Sequence, residues 1–127
     1  MKQFIFELFG WWNKQTLSTR IFTALRGIKV GEDEFGNVYY KGKKDGRRWV
    51  IYNGPAEASA IPPGWHGWMH YRTDVAPSEA DYKPRDWQKP HQANLTGTSA
   101  AYRPDGSILT PTERPRVTGD YEAWSPE

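Results

Sequence analysis

The sequence predicts an α+β chain that is largely irregular. Its parts are a small three-stranded antiparallel sheet, an amphipathic N-terminal helix, one short helix near 62–71, and a long extended Pro-rich tail. Three observations carry this. Twelve Gly and ten Pro in 127 residues interrupt the chain too often for long elements. The runs VYYK and RRWVIY, rich in β-branched and aromatic residues and bounded by polar turns, read as strands. Seven of the ten Pro lie after residue 72, where no helical or strand period of useful length occurs.

Composition bounds the answer further. The length suits one domain. Only 37% of the chain is apolar, and seven Trp, seven Tyr and five Phe make aliphatics scarce. No apolar run is long enough for a membrane-spanning helix. The absence of Cys excludes a disulfide or zinc-thiolate scaffold. Abundant rings argue against full disorder. Exposed rings concentrate where proteins meet proteins, so the composition suits a subunit better than a free enzyme. Net charge is only +2, but it is unevenly spread. Residues 1–72 hold 11 basic and 6 acidic side chains, and residues 73–127 hold 6 and 9. The basic half suits acidic partners or anionic headgroups, or is a solvated mixed surface.

Taken in order, residues 1–27 form an N-terminal anchor. Phe4, Ile5, Leu8, Phe9 and Trp12 fall on one helical face, flanked by Lys2 and Lys14. Two readings compete. The helix lies on a bilayer with Trp11 and Trp12 at headgroup depth, or it packs into a groove on a protein. Glu7 and the lack of a small-residue cleavage site argue against a signal peptide. A second period follows in Leu17, Ile21, Phe22 and Leu25, with Thr16 placed to cap it and Gly27 to end it.

Residues 28–72 form a small β hub with a short helix. The expected strands are Ile28–Gly31, Val38–Lys41 with Tyr39 and Tyr40, and Arg47–Tyr52 around Trp49. Turns fall at Gly36–Asn37 and Lys43–Gly46. Alternation puts Trp49 and Ile51 on one face and Val50 and Tyr52 on the other. Both faces are apolar, so one is expected to dock on something. In residues 61–71 the Pro62–Pro63 pair opens a helix that aligns Trp65, Trp68 and Met69, weakened by Gly64 and Gly67.

Residues 73–127 form the tail. Its few aliphatics cannot offset the entropy of ordering. Tyr82, Trp87, Tyr102, Tyr121 and Trp124 punctuate it at wide intervals. The pattern reads as a segment threaded over a partner and pinned by spaced rings.

Candidate chemistry is thin. His66 and His70 stand at i, i+4 but lack the intervening Glu and third ligand of a zinc hydrolase. Gly31–Asn37 clusters three carboxylates without calcium-loop register and reads as a solvated hairpin turn. Lys41–Arg48 places five basic residues in eight beside Tyr40 and Trp49. It reads as a charged hairpin or a site for an acidic partner, with a nucleic-acid module as the rival from another class. No phosphate loop, dinucleotide fingerprint or nucleophile motif is present. No catalytic residue, cofactor or metal site is expected.

Four blocks carry a resemblance: VGEDEFGNVYY (30–40), RRWVIY (47–52), IPPGWHGWMHYRTDVAP (61–77) and NLTGTSAAYRP (94–104). In this order they resemble the 17.2 kDa accessory-subunit family of respiratory complex I, NADH:ubiquinone oxidoreductase, in its alphaproteobacterial form. The resemblance implies a non-catalytic subunit on the peripheral arm near its junction with the membrane arm. It would lie on the cytoplasmic side of a bacterial inner membrane, or the matrix side in mitochondria. Implied neighbours are the iron–sulfur subunits near the quinone site, including the one with two 4Fe–4S clusters, and a small zinc-containing accessory subunit. A paralogous assembly factor shares the superfamily and is the runner-up. No nucleic acid is implied. The blocks assign structural or contact roles to Gly36, Asn37, Trp49, Trp65, His66, Trp68 and His70, and to Thr96, Gly97 and Thr98 in the tail. Gly64 and Gly67 depart from a more helix-favouring PPEWHRW pattern.

Overall fold

A computed structural model describes residues 5, 8–10, 14–104, 106–109, 119 and 123–126. Phe4, Trp11, Trp12 and Tyr121 lie outside these. Ile5, Leu8 and Phe9 are helical and exposed. Helix α1 spans Leu17–Arg26. Thr16 caps it as expected, its hydroxyl oxygen accepting from the Thr19 N–H at 3.3 Å. Gly27 closes it and begins strand β1, Gly27–Glu32. Strands β2, Val38–Gly42, and β3, Arg48–Ile51, complete an antiparallel meander in the order β1-β2-β3. The observed strand ends differ from the expected ones by a residue or two. Arg47 and Tyr52 fall outside β3, and β1 and β2 run slightly longer. A 3-10 turn at Ala58–Ala60 leads to helix α2, Pro63–Met69, whose first residue is the second proline of the pair. The helix is shorter than the predicted 62–71 because Tyr71 turns left-handed, φ +57°.

The pleat sorts the rings onto two faces. Tyr39 pairs with Val50 across β2–β3, and this face receives α2. The Trp65 ring stacks on Tyr39 with centroids 3.9 Å apart and planes 4° from parallel. Trp68 meets both rings edge-on at 6.4 and 5.7 Å. Tyr39, Trp65, Trp68 and Ala76 form the buried core, backed by Val30, Val50, Ile61 and Met69. Such edge-to-face and offset pairs add about 0.5–1.5 kcal/mol each beyond burial. Gly31 is a close-approach position, because a Cβ there would lie 2.7 Å from the Trp65 ring. A bulge between Lys29 and Gly31 lets the strand keep its pairing while passing under that ring.

The other face carries Tyr40 and Trp49, stacked at 6.0 Å. What docks there is the chain's own α1. Phe22 meets Trp49 at 5.3 Å, and the Trp49 indole N–H donates to the Thr23 hydroxyl at 3.0 Å. Both sheet faces therefore receive a helix of the same chain, α1 on one and α2 on the other. This explains how so few aliphatics hold a hub: large rings supply the buried area.

Two compact units partition the chain, Met1–Asn94 and Leu95–Glu127. In the first unit, residues 73–94 have no helix or strand but are tied to the hub. Ala76 is buried in the core, the Ser78 hydroxyl donates to the Val30 carbonyl, and the Asn94 N–H donates to the Ser59 hydroxyl. His91 Nε2 lies 2.8 Å from the Ser59 carbonyl, which only accepts, so that nitrogen carries the proton. In the second unit the described residues form turns. The Thr98 N–H and hydroxyl both donate to the Leu95 carbonyl around Gly97, and an Arg103 N–H donates to the Leu109 carbonyl.

One expected result follows from α2. A methyl group at Gly67 meets nothing within 4 Å, whereas one at Gly64 would press on Pro77 at 3.2 Å. Gly67→Ala should therefore raise unfolding stability by about 0.5–1 kcal/mol. Gly64→Ala should gain less or lose. Urea unfolding of the two variants side by side checks the difference.

Candidate functional site

The predicted contact residues separate into an interior set and an exposed set. Tyr39, Trp65, Trp68 and Asn37 are buried, Trp49 is half-buried under α1, and Tyr40 is half-buried beside Trp49. Their side chains build the hub and do not face outward. His66 and His70 project from the exposed side of α2, their ring centroids 4.2 Å apart. Among the described residues no group of three His, Asp or Glu is placed to hold a metal ion.

The turn Gly31–Asn37 differs from the solvated hairpin predicted for it. Gly36 supplies the expected positive φ, +80°. Asp33, however, points inward. Its carboxylate accepts from the N–H groups of Phe35 and Asn37, from the Asn37 amide, and from the Tyr39 hydroxyl, all at 2.8–2.9 Å. Burial, then the Asp33 hydrogen bond and charge, push the Tyr39 phenol far above its ordinary range, so it remains a neutral donor. Asn37 extends the network. Its amide oxygen accepts from the Asn53 N–H at 3.0 Å and its nitrogen reaches the Ala60 carbonyl at 3.4 Å. One carboxylate thus joins the β1–β2 turn, the end of β3 and the turn before α2.

Lys41–Arg48 is also not a uniform cationic patch. Arg48 folds inward and its side chain is only 3% exposed. Its guanidinium lies between the Trp68 and Tyr71 rings, 4.7 and 4.5 Å from their centroids. It donates to the carbonyls of Trp68 and Thr73 and to the Asp74 carboxylate. Asp33 and Arg48 are the two positions that sequence reasoning missed as individuals. Both sat inside runs of like charge, which read as solvated.

The exposed set is what remains available to partners. Tyr82 and Trp87 in the first unit are 65% and 75% exposed. Tyr102 and Trp124 in the second are 90% and 82% exposed. Ile5, Leu8 and Phe9 of the N-terminal segment are exposed as well. To these the structure adds Ile21 and Leu25 of α1, Ile28, Phe35, Val75, Ile108 and Leu109. Single exposed apolar residues are ordinary; these large ones are many for so short a chain. Some of the rings are also held in place. The Tyr82 hydroxyl donates to the Gln88 amide oxygen at 2.7 Å, and that same oxygen accepts the Arg85 N–H, fixing the 82–88 loop around Trp87. Pre-ordering of this kind lowers the entropy cost of binding.

Comparison with known proteins gives this surface a context. The family profile of NADH ubiquinone oxidoreductase subunit NDUFA12 matches residues 27–126. NADH dehydrogenase (ubiquinone) 1 alpha subcomplex subunit 12 of Dictyostelium discoideum is 39% identical over 103 residues, covering 76% of this chain and 75% of that protein. Its namesake in Bos taurus is 41% identical over 92 residues, 61% of this chain and 63% of that protein. An uncharacterized protein of Rickettsia prowazekii (strain Madrid E) is 39% identical over 76 residues, 55% and 74%. The chain thus spans under two thirds of the bovine relative's length and three quarters of the slime-mould relative's.

Proposed function

The chain belongs to the family of NADH ubiquinone oxidoreductase subunit NDUFA12, and from that premise we propose that it is a non-catalytic accessory subunit of respiratory complex I. In this reading it stabilises the peripheral arm near the junction with the membrane arm. Its partners are the iron–sulfur subunits near the quinone site, including the subunit with two 4Fe–4S clusters, and the small zinc-containing accessory subunit. It sits peripherally on the cytoplasmic side of a bacterial inner membrane. The observation that carries the proposal is the pairing of the family match with a surface of exposed rings. The hub uses Tyr39, Trp49, Trp65 and Trp68 internally, while Tyr82, Trp87, Tyr102 and Trp124 stay outside. In protein interfaces Trp and Tyr are the residue types that become binding anchors. No helix among the described residues is long and apolar enough to cross a membrane, which is compatible with a peripheral position.

The mechanism follows from this arrangement. A hub folded on its own rings presents turns and extended segments whose rings insert between neighbouring subunits. Their burial supplies association energy and excludes water around the subunits they cover. Purifying the complex from a deletion strain tests this. Lower yield of assembled complex and lower quinone reductase activity are expected. Unchanged assembly with unchanged activity would overturn the structural role. Mass spectrometry of the finished wild-type enzyme should find one copy per complex; its absence there would favour a transient assembly factor.

A further inference from the structure

The hub's charges are segregated in a way that the proposed subunit contacts do not use. In a meander the two hairpin connections lie at opposite ends of the sheet. At one end lie Glu32, the last residue of β1 and paired with Lys29 at 3.0 Å, the inward-turned Asp33, and the exposed Glu34. The β2–β3 connection holds Lys43 and Lys44, with Arg26 of the α1 C-terminus beside them. Leu25, Arg26, Lys43, Lys44 and Asp45 line one shared concavity. Leu25 is 69% exposed, and Ile21, one turn earlier on the same helix, is 53% exposed. α1 spends Phe22 and Thr23 on the sheet, so its aliphatic pair Ile21 and Leu25 is left facing out. The Lys43 ammonium also donates to the Leu25 carbonyl at 3.2 Å, which holds a cation over the helix end. Asp45 is the one carboxylate in the concavity, and Arg47 pairs with it at 3.1 Å.

We propose that this basic end of the hub, Ile21 and Leu25 with Arg26, Lys43 and Lys44, docks on an anionic lipid bilayer. The composition of the patch favours lipid over protein. Protein interfaces are enriched in aromatic residues and Arg and depleted in Lys. Rings mark the 82–87 segment, whereas the basic end presents aliphatics and two lysines beside a single arginine, Arg26. Exposed aliphatic side chains at a helix end flanked by lysines match an acyl boundary beneath a layer of phosphates. At the far end of the sheet Glu34 is exposed and Glu32 offsets Lys29, so the basic end is the one drawn toward a negative surface. The inference deepens the peripheral part of the proposed function and rests on it only for the identity of the membrane.

The test uses the purified full-length chain and vesicles of phosphatidylcholine, with and without phosphatidylglycerol. Co-sedimentation is expected with the anionic vesicles and not with phosphatidylcholine alone, and it should weaken as salt rises from about 0.1 M to about 0.5 M. A basic residue near such a surface contributes about fivefold in affinity. The double variant Lys43→Glu/Lys44→Glu replaces two attractions by repulsions and should bind at least about 25-fold more weakly. Leu25→Asn should weaken binding without changing its salt dependence. Glu34→Lys, at the opposite end, should leave binding within about twofold of the parent. Failure of the parent chain to bind anionic vesicles overturns the proposal. So does binding that survives Lys43→Glu/Lys44→Glu, which would assign it to other exposed residues such as Leu8 and Phe9. If the double variant fails to enter the complex while the parent ignores vesicles, the basic end meets an acidic protein face instead. The deletion experiment reads complex assembly and the vesicle experiment reads lipid binding, so either can fail alone.

Discussion

Asp33→Ala is expected to destabilise the hub by about 3–5 kcal/mol, read as a lower urea midpoint of the full-length chain. The carboxylate accepts four hydrogen bonds at 2.8–2.9 Å. Hydrogen bonds to a charged acceptor contribute about 1.5–3 kcal/mol each, and those sharing one acceptor group do not add fully. The larger cost is what stays behind. Tyr39 is fully buried, stacked on Trp65, and its hydroxyl would lose its acceptor in the core. An orphaned buried donor costs about 1–3 kcal/mol. Asn37, also buried, would lose the partner that orients its amide toward Asn53 and Ala60. Asp33→Asn retains an acceptor oxygen for the backbone N–H groups and should lose only about half as much. Tyr39→Phe separates the two terms, since it removes the hydroxyl while keeping the stack. A loss below about 1 kcal/mol in Asp33→Ala would show that the network is incidental to the fold.

Asp33 and Arg48 together explain what could and could not be read from the chain. Thr16, Gly27, Gly36 and the Pro62–Pro63 pair act through neighbours a few positions away, so their roles as cap, helix end, turn and helix start were legible. Strand alternation likewise separated Trp49 from Val50 onto faces that α1 and α2 now cover. Asp33 was illegible because its choice between solvent and interior depends on Tyr39 lying beneath a Trp from α2, a long-range fact. Arg48 depends on Trp68, Thr73 and Asp74, which are 20 to 26 positions away. Composition after Thr73 promised no contribution to a core, yet Ala76 is 2% exposed within it. A single Ala leaves no periodic signal that could have marked it. For the candidate surfaces, the sequence marked Tyr82, Trp87, Tyr102 and Trp124, and all four are exposed. It did not distinguish these from Trp65 and Trp68, because ring type alone does not say which rings the hub will consume.

Arg48→Ala is expected to cost about 3 kcal/mol, and Asp74→Asn under about 1, although the two residues form one ion pair at 2.6 Å. The asymmetry comes from burial: the Arg48 side chain is 3% exposed and that of Asp74 is 94% exposed. A water-exposed carboxylate adds little to a pair, so the bond to Asp74 is the smallest part of what Arg48 does. Its donations to the Trp68 and Thr73 carbonyls, at 2.6 and 2.8 Å, bind the end of α2 to the strand and to the segment that carries Ala76. The Trp68 carbonyl belongs to a helix terminus, where acceptors lack intrahelical partners. The same terminus is closed by N–H donations from Tyr71 to the Trp68 carbonyl and from Arg72 to the Gly67 carbonyl. That closure forces Tyr71 into its left-handed conformation, which costs a non-glycine residue about 1–2 kcal/mol. The Tyr71 ring over the guanidinium offsets part of that cost, since a desolvated cation–π contact contributes up to about 2 kcal/mol. Arg48→Lys keeps the charge but has no second nitrogen for Asp74 and no planar face to lie against two rings, so it should recover less than half of the loss. Tyr71→Gly removes the strain and the stack together and should change stability by less than about 1 kcal/mol. Urea unfolding of the four variants measures the ordering. Equal losses from Arg48→Ala and Asp74→Asn would mean that the exposed ion pair, and not the stacked guanidinium, holds α2 to the sheet.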